Sequence, residues 1–304
     1  MRSRFAKLLA LTLTLCMLMT CLTGCQELDY REAVQLYNAR QYDKAIDRFQ
    51  ELGDYEDSAA LFTASHYWAA MERMEDGNYA EALPRFLKLG DYEDSRQRVT
   101  ECKYQLGIQA FEAGNYTEAT HYFQDTADYR LTGEYIRQLN WQKIYEYILA
   151  NGEESGGCYV VSYPLPDRLV NFVADPSAAN EIRMVSNREQ DMGYTFADSL
   201  TLVFVRETTV ATFEAANEFS MAFGDDSIGS QQTASGEVDL AGYAPGMLLT
   251  FDNFHMTVTD NHGQTTTSDD SANSTMDQMM ADHLVAIMDC FSALQVVSGA
   301  EGTY

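Results

Sequence analysis

The first half of this chain repeats itself every 37 residues without a gap. Three copies follow one another at 30–66, 67–103 and 104–140, and a partial fourth copy begins at Trp141. A fixed period of this length is typical of stacked structural repeats, in which each unit buries its apolar face against the next. The sequence therefore predicts a row of similar modules here rather than one mixed globular domain.

Each copy is predicted to hold two helices. In the second copy, apolar residues recur at helical spacing through 79–89, which favours an amphipathic helix. Gly53 and Gly90 follow the last periodic residue of such helices and are expected to end them in a left-handed turn. Asn78 and Asn115 each precede a Glu by three residues, a spacing that predicts a capping box at the helix start.

The spacing Gly-x-Tyr-x-x-Ala-x-x-x-Phe in these copies resembles the tetratricopeptide repeat (TPR) family. The resemblance implies an all-α solenoid over 30–152, ending in a capping helix at 141–150. It also implies a concave groove, lined by the first helix of each pair, in which peptides bind. Two features depart from the family: the period is 37 instead of about 34 residues, and GDYEDS stands where the family has a proline. The residues that carry the resemblance are Gly77, Tyr79, Ala82, Phe86, Gly114, Tyr116, Ala119 and Phe123, with Ala33, Ala70 and Gly107 at the upstream small position.

The segment GDYEDS occurs twice, at 53–58 and at 90–95. A calcium loop of the EF-hand type spreads its ligands over about 12 residues and closes with a Glu, and neither copy continues in that way. We therefore interpret the acids as the start of the following helix, where each would contribute about 0.3–1 kcal/mol against the helix dipole. Tyr55 and Tyr92 are expected to pack beneath the turn.

Aromatic residues stand at the same position of every copy. In a stack of repeats, equivalent residues form a column. If this column faces the groove, it would grip an extended peptide or a partner helix. If the alignment to the family shifts by one residue, the column packs between helices as core, which is the interpretation we favour. The candidate partner-binding residues are Tyr30, Tyr67, Tyr104 and Trp141, with Met71 and Glu75 beside Tyr67.

The N-terminus has the order of a secretory signal: a basic head, an apolar run and small residues. Its end, LTGC at 22–25, resembles the lipobox of bacterial lipoproteins. The resemblance implies that 1–24 is a signal peptide, that Cys25 carries a diacylglyceryl thioether, and that 25–29 is a lipidated tether. Two or three acyl chains would hold the protein stably on the extracytoplasmic face of a membrane. An ordinary secretory signal or an uncleaved anchor is the alternative, but Cys16 and Cys21 lack the small residues that precede Cys25.

The chain is strongly acidic, with 46 acidic and 20 basic residues and a formal net charge of −26. Nucleic acid and anionic lipid surfaces attract basic patches, so the charge argues against both as partners. A basic segment of a protein partner or a divalent cation would suit it better. Beyond the anchor, Cys102, Cys158 and Cys290 form no disulfide framework. One bridge between Cys158 and Cys290 and three free thiols are both compatible with the sequence.

After residue 152 the pattern changes to short strands. The alternation of apolar and polar residues over 193–222 predicts a hairpin that turns near 206–208. We predict an α+β domain over 153–304, an antiparallel sheet covered on one face by a C-terminal helix at 275–297. The predicted fold class is therefore multidomain, an all-α TPR-like solenoid followed by this α+β domain. The other predicted strands are 158–162, 168–173, 181–186 and 247–259, and the predicted loop is 265–274.

The second domain carries no constellation typical of catalysis. His255, Asp260 and His262 lie close in sequence, with Asp252 before them and His283 on the helix, but a zinc site needs tighter preformed spacing. Ser227 does not fit the G-x-S-x-G pattern, and no phosphate-binding or dinucleotide fingerprint is present. Asp225 and Asp226 would bind calcium only weakly. We therefore expect no enzyme, no cofactor and no metal.

Two functions remain. The first is a membrane-anchored protein-interaction scaffold that uses its repeats to hold a protein partner, a basic or extended segment. The second is a ligand-binding or sensing lipoprotein whose C-terminal domain takes a small molecule, glycan or cation. The second function predicts an apolar pocket between the sheet and the C-terminal helix.

Overall fold

The computed structural model describes residues 26–191, 194–223, 226–241, 251–260, 262–269 and 274–300. The chain divides into two compact units, Met1–Thr132 and Gly133–Tyr304. Each unit has its own apolar core, so each is described by itself.

The described part of the first unit is helical. Its helices alternate in length: α3 and α5 have 18 residues each, while α2 and α4 have 11 each. Consecutive helices pack on each other from α2 to α6. The helices are α1 (26–38), α2 (Tyr42–Leu52), α3 (Ser58–Glu75), α4 (Tyr79–Leu89), α5 (Ser95–Glu112) and α6 (Tyr116–Gln124).

A small residue on the longer helix of each copy meets a buried phenylalanine on the shorter one. In the third copy the small residue is Gly107, and a Cβ built there would lie 2.7 Å from the ring of Phe123. The two helices thus approach as closely as their backbones and this ring allow. The corresponding pairs in the first two copies are Ala33 with Phe49 and Ala70 with Phe86, all buried in the cores of their copies.

The GDYEDS segments end one helix and start the next, as predicted, but their acids are used differently. Gly53 ends α2 with φ +60°, and Gly90 ends α4 with φ +59°. Asp57 and Asp94 occupy the N-cap positions of α3 and α5, but neither side chain caps its helix. Their carboxylates accept hydrogen bonds from the tyrosines at the start of the same copy instead. These two acids therefore stand at the helix starts, as expected, but their side chains do not accept from the helix amides.

The tyrosine hydroxyls connect the start of each of the first two copies to its own GDYEDS segment. The hydroxyl of Tyr30 donates to Asp57, and that of Tyr67 donates to Asp94 at 2.6 Å. A charged acceptor makes such a bond stronger than one between neutral groups. The predicted capping boxes are also absent: Asn78 makes no side-chain hydrogen bond to its helix, and neither does Asn115.

The predicted fold class, a TPR-like solenoid followed by an α+β domain, is wrong. The helices of the first unit are not clearly TPR-like, since their lengths differ and a Tyr–Asp bond ties the start of a copy to its GDYEDS turn. The residues expected to form the capping helix, 141–150, lie within a helix that contributes to the core of the second unit. Over its described residues, the chain has seven helices, then a nine-stranded antiparallel sheet and one C-terminal helix.

The second unit is built on a sheet whose nine strands pair in the order of the sequence. Every described pairing is antiparallel. A bulge interrupts the pairing of β7 with β8 between Ser235 and Glu237. The elements are α7 (Thr132–Asn151), β1 (Glu153–Ser155), β2 (Cys158–Pro164), β3 (Leu169–Ala174), β4 (Glu181–Asp191), β5 (Thr195–Val205), β6 (Val210–Phe223), β7 (Asp226–Asp239), β8 (Phe251–Asp260), β9 (Thr265–Ser268) and α8 (Ser274–Ser298).

Helices α7 and α8 share one apolar core with the strands. Phe291 of α8 lies between Phe172 and Phe204, with ring centroids 6.0 and 6.3 Å apart. Trp141 of α7 is fully buried, and its indole N–H donates to the carbonyl of Phe204. The alternation of residues along β5, buried at every second position, shows why the apolar residues of the strands gather on one face.

The structure contains the predicted hairpin turn but replaces part of a predicted loop by a strand. The predicted hairpin turn near 206–208 lies between β5 and β6. The predicted loop at 265–274 is wrong in part, since Thr265–Ser268 forms β9 and pairs with β8. Threonine is β-branched and suits a strand. The prediction of a loop rests on the polarity of this segment, without regard to the strand preference of its threonines.

Residues 278–298 of α8 are long and apolar enough to cross a membrane by length and composition alone. Half of that stretch is buried inside the second unit. The sheet that it packs against accounts for its apolar composition.

Candidate functional site

The predicted aromatic column packs between helices. Tyr67 and Tyr104 are buried, Trp141 lies in the core of the second unit, and Tyr30 is half-buried. The hydrogen bond to Asp57 raises the pKa of Tyr30 to about 12. Each tyrosine of the column also contacts the ring of the tyrosine at the GDYEDS position of its own copy. Little of the surface of the column is therefore left for a partner. These edge-on pairs are Tyr30 with Tyr55, Tyr67 with Tyr92 and Tyr104 with Tyr129, with centroids 5.4–5.9 Å apart.

Met71 and Glu75 lie apart from the column, on the wall of a surface pocket of about 340 Å³. The end of α1, the start of α2 and the exposed face of α3 form this pocket. On α3 its residues recur at the helical spacing that places side chains on one face. We call it the Trp68 pocket, and its lining residues are Tyr37, Asn38, Arg40, Tyr42, Trp68, Met71, Glu72 and Glu75.

Three aromatic rings stand together in the Trp68 pocket. Tyr42 stacks on Trp68 with ring centroids 6.5 Å apart and planes 23° apart. Tyr37 meets Tyr42 edge to face at 5.6 Å. Tyr42 is buried beneath its neighbours, while the Trp68 side chain is 42% exposed. A large aromatic side chain held by a helix and open to solvent is typical of interaction sites.

Two carboxylates of the Trp68 pocket are left without a counter-ion. Over the described chain, neither Glu72 nor Glu75 forms an ion pair or a side-chain hydrogen bond. Burial raises the pKa of Tyr42, and the negative charges of Glu72 and Glu75 raise it further, while Arg40 opposes them. The pocket thus combines aromatic walls with net negative charge.

A second pocket of the first unit has a different balance of charge. It measures about 660 Å³ and lies beside Phe62 and His66. Its Asp43 is already paired, with Arg85 at 2.8 Å and with Arg73 at 2.6 Å. Its wall also holds Asp47 and Lys88, so two acidic and two basic residues line this pocket, whereas the lining of the Trp68 pocket is net negative.

The second unit holds a buried polar cluster that the sequence analysis did not find. His283 of α8 contacts the Ser186 hydroxyl through Nδ1 at 2.7 Å and Asp198 through Nε2 at 2.9 Å. Arg188 donates to the same carboxylate from Nε at 3.0 Å. Burial raises the pKa of Asp198, but the hydrogen bonds from His283 and Arg188 outweigh it, and the pKa lies below its usual range.

Serine, histidine and aspartate in this order are the groups of a hydrolytic triad, but here they lie in the interior, where they tie α8 to β4 and β5. Ser186 and His283 are fully buried, so the serine hydroxyl does not face solvent. The sequence did contain a signal: His283 interrupts the apolar stripe of α8, and Asp198 occupies an inward position of β5. A buried polar residue on an apolar face calls for a partner.

The other candidate sites do not assemble in the described residues. No group of three or more His, Cys, Asp or Glu in that part of the chain could hold a metal ion. His255 contacts Asp269, and Asp260 accepts from the backbone amides of His262 and Gln264 within its own turn. Cys25, Asp225, and the side chains of Asp226 and Ser227 lie outside the described residues.

The sequence left open a disulfide between Cys158 and Cys290 and an apolar pocket between the sheet and α8. Cys102, Cys158 and Cys290 are free thiols, so the bridge between Cys158 and Cys290 is not formed. The space between the sheet and α8 is filled by side chains such as Met280 and Phe291. A pocket of about 420 Å³ is lined by polar strand residues instead, among them Thr201.

Comparison with family models, with curated proteins and with solved structures finds no match to this chain. The chemistry of the Trp68 pocket is therefore the main guide to function.

Proposed function

We propose that this protein is a lipid-anchored extracytoplasmic scaffold that holds a protein partner on its helical repeats. The observation that supports this function is the Trp68 pocket, where an exposed indole stands beside two unpaired carboxylates. Tryptophan and tyrosine supply a large share of the binding energy at protein interfaces. Met71 and Glu75, two of the predicted partner-binding residues, line the same pocket.

The charge of the chain indicates what kind of segment the pocket would take. A formal net charge of −26 attracts basic segments over a distance and raises their rate of encounter. Glu72 and Glu75 then offer unpaired negative charge at the point of contact. A basic, extended segment of a partner protein combines both properties.

Photo-cross-linking in the native membrane tests the scaffold. A photoreactive amino acid at Met71 or Glu75 should give the same partner, identified by mass spectrometry, and Trp68→Gln should weaken both adducts. The matched control is Leu87, which is 56% exposed on α4 and outside the Trp68 pocket. Equal adducts from Leu87, or links confined to residues 153–304, would refute the proposed use of the repeats.

The proposed anchor depends on the lipobox-like segment that ends at Cys25. Metabolic labelling with an azide-bearing fatty acid should mark the protein in the membrane fraction, and Cys25→Ser should abolish the label and release the chain. Cys21→Ser and Cys16→Ser are the matched controls, since these cysteines lie in the same apolar run. Retained label in Cys25→Ser would show that the anchor is elsewhere.

A further inference from the structure

The Trp68 pocket is built where the first copy meets the second, and its residues change where the second copy meets the third. Two positions keep their residue type, since Tyr42 corresponds to Tyr79 and Glu75 to Glu112. The changes give the first junction, between the first and second copies, a chemistry that the second junction, between the second and third copies, lacks. The other six lining positions change, and the three changes that alter charge, aromatic surface or backbone freedom most are Trp68 to Gln105, Glu72 to Gln109 and Arg40 to Gly77.

The change from Gln109 to Glu72 alters what the side chain can do. At the second junction the amide of Gln109 donates to the carbonyl of Gly77 at 3.5 Å. A carboxylate has no hydrogen to donate, so Glu72 cannot make the equivalent bond to Arg40. The first junction thus gives up a bond between copies and gains an unpaired negative charge beside Trp68.

Arg40 is a second departure at the same place. Its φ is +57°, while the equivalent Gly77 and Gly114 have φ +77° and +76°. A left-handed backbone suits glycine and strains an arginine. Strained residues of this kind cluster at binding sites, and Arg40 lines the Trp68 pocket.

From these observations we propose that the Trp68 pocket binds one basic side chain, through its ammonium or guanidinium group, over the exposed ring of Trp68 and beside Glu72 and Glu75. The proposal rests on the proposed function, since the basic side chain would belong to the partner segment. Arg40 is the residue at the rim that opposes this cation and limits its affinity.

The chemistry of the pocket suits such a group. A cation within about 6 Å of an aromatic face is attracted by the ring, and tryptophan is the strongest of the aromatic side chains in this respect. Glu72 and Glu75 supply the neutralising charge without first breaking an ion pair of their own. The volume of about 340 Å³ lies at the lower end of the range for ligand pockets, which fits one side chain better than a folded domain.

A single-charge probe tests the inference on the full chain. Nα-acetyl-lysine methylamide is titrated to concentrations on the order of 10 mM, and the methyl signal of Met71 is followed by NMR after its assignment with Met71→Leu. We expect a saturable shift of that signal. The Nε-acetylated form of the probe, which keeps the aliphatic stem but is uncharged, should give none. An equal response to both probes would overturn the proposal.

The repeat itself supplies the variants. Trp68→Gln and Glu72→Gln install residues that the second junction already carries, so the fold should tolerate them. Each should weaken lysine binding about tenfold or more, while Gln105→Ala at the second junction should leave it unchanged. Arg40→Gly should strengthen binding. Unchanged affinity in Trp68→Gln and Glu72→Gln, or weaker binding in Arg40→Gly, would contradict a site for a cation.

The two proposals fail in different ways. Cross-links from Met71 and Glu75 without binding of the lysine probe would remove the cation site and keep the scaffold. Binding of the probe without a cross-linked partner would keep the cation site and remove the scaffold.

Discussion

At the scale of single residues, Tyr67 and Asp94 show how two helices of the second copy are held together. The hydroxyl of Tyr67, near the middle of α3, reaches the residue that precedes α5. Burial raises the pKa of Asp94, but the hydrogen bonds from Tyr67 and Arg98 outweigh it, and the pKa lies below its usual range. The bond therefore stabilises the unit when Asp94 is ionised.

Tyr67→Phe keeps the ring and removes this hydrogen bond. We expect the free energy of unfolding to fall by about 1 kcal/mol at neutral pH. The difference should be complete above the unfolded pKa of an aspartate, about 3.9, and should disappear as the pH falls through the lower pKa of folded Asp94. Urea unfolding at several pH values measures it. Tyr79→Phe is the control, since the Tyr79 hydroxyl has no hydrogen-bond partner in the described chain.

Cys102 gives a second prediction at this scale. Burial raises the pKa of the Cys102 thiol to about 11, and only the thiolate reacts with alkylating reagents. In the folded protein at pH 8, Cys102 should resist iodoacetamide, while the partly exposed Cys158 should react. Mass spectrometry of the labelled peptides, with and without urea, decides this, and rapid labelling of native Cys102 would contradict its burial.

At the scale of elements, the contact of α5 with α6 depends on the absence of one methyl group. Gly107→Ala would place a Cβ against the fully buried ring of Phe123. We expect a loss of about 1–3 kcal/mol from overpacking, seen as a lower urea midpoint. Gly133→Ala is the matched control, since a Cβ at Gly133 on α7 meets nothing within 4 Å. That variant should be neutral or more stable by up to about 1 kcal/mol, and an equal loss in both variants would refute the packing argument.

The elements also show what periodicity can and cannot predict. Helical spacing located α4, and strand alternation located the turn between β5 and β6, because both patterns follow from which face is buried. The spacing does not predict which other element each buried face packs against. Residues 141–150 therefore looked like a last repeat helix, although their apolar face belongs to the core of the second unit.

The candidate site was predictable only in part, for a similar reason. The helix and two lining residues, Met71 and Glu75, followed from the repeat. The exposed aromatic residue is Trp68, one position after the predicted Tyr67, because a one-residue step turns a helical side chain by about 100°. The Asp94 carboxylate could accept from an amide of its own helix or from the distant Tyr67 hydroxyl. Which of the two it does depends on tertiary packing, and the sequence does not show this.

At the scale of the whole molecule, the second unit is held together by the cluster of His283, Ser186, Asp198 and Arg188. It ties α8 to β4 and β5 through groups that are almost entirely shielded from water. Removing one partner of such a cluster leaves the others buried and unsatisfied.

Asp198→Asn should therefore lower the free energy of unfolding by about 3 kcal/mol at neutral pH. The pKa of Asp198 is depressed in the folded state, so its stabilising effect should vanish as the pH falls through that value. Asp289→Asn is the control, an exposed carboxylate on α8 that contacts no member of the cluster. Hydrogen exchange should become faster in residues 133–300, and a similar change in both variants would show that the cluster is dispensable.

The sequential order of the nine strands has a consequence for how the chain reaches its final state. A chain delivered from its N-terminus, as in synthesis or export, can pair every new strand with the one that emerged just before, so no strand waits for a later partner. Such local pairing favours rapid folding, and β1 and β9, of three and four residues, leave short edges that discourage association. The apolar face that α8 covers stays open until the last residues of the unit arrive. A chain interrupted before residue 274 would therefore carry a paired sheet with an uncovered apolar face, a species prone to aggregate until it is degraded.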